Sequence, residues 1–318
     1  MSTLICGSLA FDTITTFDGR FADHILPDKV HILNISFLVP TLRREFGGCA
    51  GNIAYSLALL GGQPLILATL GEDGQSYLDR LDALQIPRSH VRLLQGSYTA
   101  QAHIITDRDN NQITSFHPGA MGRAHELQVP LDAGVDLAIV APDGRAAMIE
   151  HAAQLAAAGI PFIFDPGQGL PMFDGTELRR FIGQCSWVAV NDYEAELLVE
   201  RTGWSLEHIA AQVRGLVVTR GELGCRVWSG DAAALDIPGV PATAICDPTG
   251  CGDAFRAGLL YGLSRGWSLA DSARLGNVLG AEKIAVHGPQ NHRLDAHTAL
   301  ARLHTVYGIT PAALPAVR

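Results

Sequence analysis

The chemistry of this chain is concentrated in Asp247-Pro248-Thr249-Gly250-Cys251-Gly252-Asp253-Ala254-Phe255. Gly250 and Gly252 let the backbone close around a ligand that a side chain would hold off. The run from Ala254 to Arg265 has helical spacing, so the peptide N–H groups ahead of it lack intrahelical partners. Those donors, together with the helix dipole, attract an anion. Asp253 sits in the same turn. A phosphate-attracting turn that also carries a carboxylate suits one reaction. The acid takes a proton from a substrate hydroxyl while the N–H groups hold the phosphoryl charge.

Other polar residues follow apolar runs that read as strands. Asp12 follows Leu4 to Ala10, Asp165 follows Phe162-Ile163-Phe164, and Asn191 follows Val188-Ala189-Val190, with Glu194 close behind. Thr219 and Gly221 follow Val217-Val218, and Asp247 follows the short apolar run from Ala242 to Cys246. Open α/β sheets bind ligands beyond the carboxyl ends of their strands, so these segments are expected at one edge. Each also has a plainer use. Asn191 and Glu194 carry oxygens suited to Mg²⁺, directly or through its waters, or else Asp192 caps the next helix. Thr219 to Gly224 lets nucleotide phosphates approach bare backbone, or is a simple hairpin turn. Gly47-Gly48-Cys49-Ala50-Gly51-Asn52 offers an amide to substrate hydroxyls, or packs a helix tightly on a strand.

These residues need a frame, and the pattern supplies one. Strands are expected at Leu4 to Ala10, Pro64 to Leu70, Leu137 to Ala141, Pro161 to Phe164, Trp187 to Val190, Leu216 to Thr219 and Cys225 to Trp228. Helices are expected at Asn52 to Leu60, Gln75 to Leu84, Ala146 to Ala158, Thr176 to Gln184 and Tyr193 to Thr202. Three more close the chain, at Ala254 to Arg265, Leu269 to Val286 and Ala296 to Val306. Strands alternating with helices imply a mostly parallel sheet covered on both faces. Two pieces break the rhythm. Alternation around His31 to Val39 predicts one or two strands outside the main sheet, and Gln101 to Thr106 with Gln112 to His117 predicts a hairpin. These pieces, near 13–46 and 97–118, are expected to meet as a small second sheet on a single 318-residue domain.

Bulk composition narrows the class. With 47% hydrophobic and 17% charged residues, the chain has material for a well-filled core. A formal net charge of -9 argues against broad nucleic-acid binding. The six cysteines form no CxxC pair and read as reduced thiols of a cytoplasmic protein, most of them buried. No secretory signal and no membrane-length apolar run is expected. The twelve histidines make no HExxH pair. There is no GxxxxGK[ST], which excludes a P-loop, and no GxGxxG after the first strand, which argues against a dinucleotide dehydrogenase.

Taken together, the motifs resemble the ribokinase (PfkB) family of sugar and nucleoside kinases, from about Leu4 to about Tyr307. The carriers are the Asp247–Phe255 and Gly47–Ala54 signatures, Asn191 with Glu194, and Thr219 with Gly221 and Gly224; Cys251 stands where alanine is most common. The resemblance implies a ribokinase-like α/β fold with a Rossmann-like sheet and a small β lid. It implies Asp253 as catalytic base and the N–H groups of Gly250, Cys251 and Gly252 as anion hole. Asp12, Gly47, Gly48 and Asn52 would hold sugar hydroxyls, and Asn191, Thr219, Gly221, Gly224 and Asn277 the nucleotide. ATP and Mg²⁺ are the implied cofactors, Mg²⁺ organised by Asn191 and Glu194. K⁺ is a further candidate, between the Asp247 loop and Val286 to Gly288. The segment from His24 to Phe46 resembles bacterial members assigned as adenosine kinases. Phe37 and Phe116 would then cover a purine, or pack the lid on the body. Adenosine is the expected acceptor. A sugar such as ribose, or a non-catalytic nucleoside sensor, is the alternative. The small-molecule partners place no demand on assembly, and a monomer or a homodimer is expected.

Overall fold

The computed structural model describes residues 1–25, 34–109, 111–230 and 233–310. Its strands are β1 (Ser2–Cys6), β2 (Ala10–Thr16), β3 (Thr41–Gly47), β4 (Gln63–Gly71), β5 (Val91–Leu94), β6 (Ala100–Thr106), β7 (Gln112–His117), β8 (Val135–Val140), β9 (Phe162–Phe164), β10 (Trp187–Asn191), β11 (Gly215–Thr219), β12 (Cys225–Ser229) and β13 (Leu235–Ile237). Its helices are α1 (Phe21–His24), α2 (Cys49–Leu59), α3 (Gln75–Ala83), α4 (Arg145–Ala157), α5 (Gly175–Gln184), α6 (Asp192–Thr202), α7 (Leu206–Gln212), α8 (Cys251–Leu263), α9 (Leu269–Lys283) and α10 (Ala296–Tyr307). Among the described residues no helix is long and apolar enough to cross a membrane.

The main sheet runs β13-β12-β11-β10-β9-β8-β1-β4-β5 and is parallel from β11 through β5, with β12 and β13 antiparallel at one edge. Successive strand residues point to opposite faces, so a run apolar at every position buries both. Ile5, Ile139, Ile163, Ala189 and Val217 enter one core cluster, packed with α2, α8 and α9. Their neighbours Leu4, Cys6, Ala138, Val140, Phe162, Phe164, Val188, Val190, Leu216 and Val218 enter the other, under α4 to α7. The chain starts in the middle of the sheet. From β1 it moves to β4 and β5, then returns to the other side of β1 as β8. That reversal opens a crevice beyond the ends of β1 and β8, the usual ligand position in such sheets.

The two β-rich pieces do meet, as a four-stranded sheet of order β3-β2-β6-β7. Its register sets Asp12, Ala102 and Phe116 side by side, and Ile14, Ile104 and Thr114 two residues on. The predicted hairpin is β6–β7.

Several expectations need correction. The first strand does not run from Leu4 to Ala10: it stops at Cys6, and the chain passes at Ala10 into the second sheet. Gly7 marks the departure, because a Cβ there would lie 3.2 Å from the Cβ of Ala141 and 3.3 Å from that of Ala50. Asp12 therefore belongs to β2, not to the end of a main-sheet strand. The strand expected around His31 to Val39 lies partly outside the described residues; residues 34–39 are not a strand, and pairing begins at Thr41. The apolar run Ala242 to Cys246 is a loop with Ile245 80% exposed, because no strand is available to pair with it. Short β5, β13 and α7 were not anticipated, being too brief to show a period.

Helices α8 and α9 approach so closely that a Cβ at Gly258 would stand 2.6 Å from the Cα of Gly276. Gly258→Ala is expected to cost about 1–3 kcal/mol through overpacking, read as a lower urea midpoint with an unchanged slope.

Candidate active site

The site is organised by the first turn of α8. Gly250 is its N-cap at φ +81, a left-handed conformation in which a Cβ would also meet the Cβ of Pro289 at 2.8 Å. No side chain caps this helix. Among the described residues the N–H groups of Gly252 and Asp253 have no protein partner, whereas that of Cys251 donates to the Pro248 carbonyl at 3.1 Å. Among the described residues the Gly250 N–H is likewise without a protein partner, so of the trio 250–252 only Cys251 spends its N–H on closing the turn, and Asp253 adds an open N–H as well as a carboxylate. A Cβ on Gly252 would meet nothing nearer than Arg256 Nη1 at 3.5 Å, so the space over it is open to a ligand.

Asp253 is held by α2. Its Oδ2 accepts the Asn52 amide at 2.8 Å. Gln290 donates to Asn52 Oδ1 at 3.1 Å and to the Tyr77 hydroxyl at 2.9 Å, and Tyr77 donates to the Gly47 carbonyl at 2.7 Å. Burial pushes the Asp253 carboxyl up to about 6; the Asn52 bond opposes this, the Asp165 charge adds to it, and Arg256 opposes it again. The acid is therefore a stronger base than a solvent-exposed aspartate and still ionised at neutral pH.

Asp12 faces the same space from β2. Burial, then the charges of Glu45 and Asp247, raise it to about 6. Gly47 makes room for it, because a Cβ there would fall 2.4 Å from Asp12 Oδ2. Gly48, at φ +83, lies against the Ser8 carbonyl and the Ala10 N–H, where any side chain would collide. The double glycine is a steric requirement of the crossing between β1, β3 and α2.

At the floor, Arg256 makes a bidentate pair with Asp165, both bonds 3.0 Å, and both residues are buried. Its Nη2 is 4.0 Å from Glu194 Oε2. Sequence reasoning missed Arg256, although it stands three residues after Asp253 and so on the same helical face. It also missed Asp143, which lines the same cavity. Among the described residues Asp143 Oδ2 has no hydrogen-bond partner, and burial pushes this acid up to about 8.

Asn191 and Glu194 form a capping box, each side chain accepting the other's backbone N–H at 2.8 Å. The cap is Asn191 rather than the expected Asp192. The box uses Glu194 Oε2 and Asn191 Oδ1, and both residues line the cavity. Among the described residues no group of three acidic, His or Cys side chains could cage a metal. The donors fit Mg²⁺ held through water and substrate phosphates, the usual arrangement for that ion.

One cavity of about 780 Å³ is lined by Asp12, Gly48, Asn52, Phe116, Asn191, Glu194, Thr219, Gly221, Gly250, Gly252 and Asp253 together with Arg256. Ala102 and Ile104, with Met121 and Met172, add apolar lining. Thr219 to Gly224 is a hairpin turn, with β11 and β12 antiparallel, and its Thr219 and Gly221 line the cavity. Other assigned residues lie elsewhere. Phe37 packs on Phe17 and Phe21, with ring centroids 4.9 and 5.0 Å apart. Asn277 donates to the Pro238 carbonyl at 3.2 Å and contacts the Tyr307 hydroxyl at 3.1 Å. Gly224, at φ +88, supports the turn, where a Cβ would strike the Ile237 carbonyl at 2.1 Å. Gly47 sits behind Asp12, and Asp247 braces the loop by accepting the N–H groups of Thr249 and Gly288, each at 2.9 Å. Where K⁺ was expected, the buried Lys283 donates from Nζ to the carbonyls of Asp247 at 2.8 Å and Val286 at 3.0 Å.

Comparison with known proteins agrees with this geometry. The model of the pfkB family of carbohydrate kinases matches residues 19–296, and the chain belongs to that family. It is a phosphotransferase with an alcohol group as acceptor. It is 29% identical over 316 residues to a nucleoside kinase of Methanothermobacter thermautotrophicus, covering 97% of each chain. A structure of Burkholderia thailandensis nucleoside kinase in complex with inosine superposes with a TM-score of 0.89 and 53% identity, over 98% of this chain and 100% of that one. A second, with ADP-inosine, gives 0.86 and 54%, over 99% of each. A ribokinase of Thermotoga maritima, 18% identical over 95% of this chain and 98% of that one, shares the fold with a TM-score of 0.78.

Asp12 carries a linkage prediction. Its carboxyl is raised above the unfolded value of about 3.9, so the folded state binds more protons between that pH and about 6, and stability falls as pH rises through this window. Asp12→Asn removes the loss. Its melting temperature is expected to exceed that of the parent at pH 8, with the gap closing below pH 4.

Proposed function

We propose that the protein transfers the γ-phosphoryl group of ATP to the 5′ hydroxyl of a purine nucleoside. The observation that carries this is the placement of Asp253, beside unbonded N–H donors and fixed by Asn52, in one cavity with Asp12. Asp12, Asn52 and the Gly48 backbone hold the ribose hydroxyls. Asp253 takes the 5′ proton as the oxygen attacks phosphorus, and the N–H groups of Gly252 and Asp253, with Arg256, hold the charge of the transferring group. Asn191, Thr219 and Gly221 border the nucleotide phosphates. Glu194 would hold Mg²⁺ through water, and the ion supplies charge neutralisation on the phosphates when bound. The second sheet acts as a lid on a single catalytic domain and keeps water from the phosphoryl group. The enzyme works in the cytoplasm, alone or as a homodimer.

A nucleoside is favoured over a free sugar by the apolar wall of Ala102, Ile104 and Phe116, which suits a base and offers a sugar nothing. The cavity is near the upper end of the 300–1,000 Å³ range for small-ligand sites, about right for a nucleoside and the end of a nucleotide. Adenosine is the acceptor expected from the sequence. Inosine is the second reading, favoured by the complexes of the Burkholderia thailandensis relative.

Coupled ADP release measured with adenosine, inosine, ribose and fructose phosphate decides the acceptor; turnover confined to the free sugars would refute the nucleoside reading. Asp253→Asn is expected to lose about 10²–10⁴-fold in kcat while still binding nucleoside, and a folded variant with near-normal turnover would remove it as the base. The acid limb of kcat/KM is expected near pH 6, because both Asp12 and Asp253 must be ionised.

A further inference from the structure

We infer that the ammonium of Lys283 permanently occupies the place of a monovalent cation behind the anion cradle, so that phosphoryl transfer by this protein needs no K⁺. The inference rests on the phosphotransfer reading above and names a positioning residue for it. Lys283 is wholly buried in the last turn of α9. Its Nζ bridges one carbonyl from each of two loops, Asp247 at 2.8 Å and Val286 at 3.0 Å. Paired carbonyl oxygens from separate loops are what a weakly hydrated monovalent cation would seek, and here a tethered cation already satisfies them. A buried ammonium is costly unless it is hydrogen-bonded, which holds it on these oxygens. A second cation placed on the same pair would face the ammonium at close range in a buried setting and be repelled. The residues present do not fit K⁺.

The position matters because of what the loop carries. The N–H groups of Cys246 and Asp247 both donate to the Ile284 carbonyl, at 2.8 and 3.1 Å. The Asp247 carboxylate accepts the N–H groups of Thr249 and Gly288. The loop so braced runs straight into Gly250, the cap of α8, and the unbonded N–H groups of that turn. Lys283 is the buried cation of this brace, in which the Asp247 carboxylate also pairs with the half-exposed Arg43 at 3.5 Å. The lysine fixes the loop from behind the cradle, and its charge adds positive potential to that turn.

The test compares the protein in buffers whose only monovalent cation is tetramethylammonium with the same buffers titrated with KCl, in the presence of Mg²⁺. Turnover, ADP affinity by calorimetry and melting temperature are the readouts. The parent protein is expected to be indifferent to K⁺, whereas a true activator would shift activity or affinity by about 5–150-fold. Lys283→Ala opens the site and is expected to lose activity without K⁺ and to recover with K⁺ or ammonium. Lys283→Met fills the same space without charge and is expected to lose activity that neither ion restores. Activation of the parent by K⁺ overturns the inference, as does a folded Lys283→Ala protein that is fully active without K⁺ or is not rescued by it. If neither variant folds, the K⁺ titration of the parent decides. If the parent transfers no phosphoryl group in any buffer, the phosphotransfer reading falls. The lysine is then judged by melting temperature alone: a K⁺-dependent rise in the parent refutes the inference, and its absence upholds it.

Discussion

Three carboxylates, Asp165, Glu194 and Asp253, share one cavity with open backbone N–H donors, and the conflict of their charges governs the architecture. Asp165, Glu194 and Asp253 would together repel any phosphate. Arg256, buried among them and doubly bonded to Asp165, offsets part of that charge. The open start of α8 supplies further positive potential without adding a titratable group. Neither element suffices alone. The carboxylate needs burial to become more basic, and burial is tolerable only beside fixed N–H dipoles and a paired guanidinium.

Rigidity is distributed to match. Asp253 and the amide that orients it belong to a continuous hydrogen-bond chain from Asp253 through Asn52 and Gln290 to Tyr77 and the Gly47 carbonyl. That chain joins α8, α2, α3 and the segment before α10, all packed on one face of the main sheet. The second sheet is different. All of β7 is exposed, and Phe116, which lines the cavity, is 51% exposed. The Asp253 end of the cavity is thus anchored in the core, while the Phe116 wall sits on an element held mainly by its strand ladder. Such an element can open locally at small cost.

Much of this was legible beforehand. The alternation of apolar runs, the Gly-punctuated turn and the carboxylate beside it are local patterns, and local backbone chemistry is enough to interpret them. Where the reading slipped, geometry beyond the local window was responsible. Asp12 follows an apolar run and reads as a strand end, yet the chain turns at Gly7 and carries it into another sheet. Phe37 and Phe116 are both aromatic residues of the same β-rich region, and only packing separates the half-buried one stacked on Phe17 and Phe21 from the one that lines the cavity.

By itself, the sequence determined the α/β layering, the second sheet and the location of the Gly-rich turn at the head of α8, because strand period, helix period and glycine freedom act within a few residues. Only the tertiary structure decided which donors in that turn remain open, that Arg256 pairs with Asp165, and that a lysine from the end of α9 sits on the Asp247 carbonyl. The physical reason is distance along the chain. Asp165 is 91 residues from Arg256, and Lys283 is 36 from Asp247, so no periodicity links them and only the packed core brings their charges together.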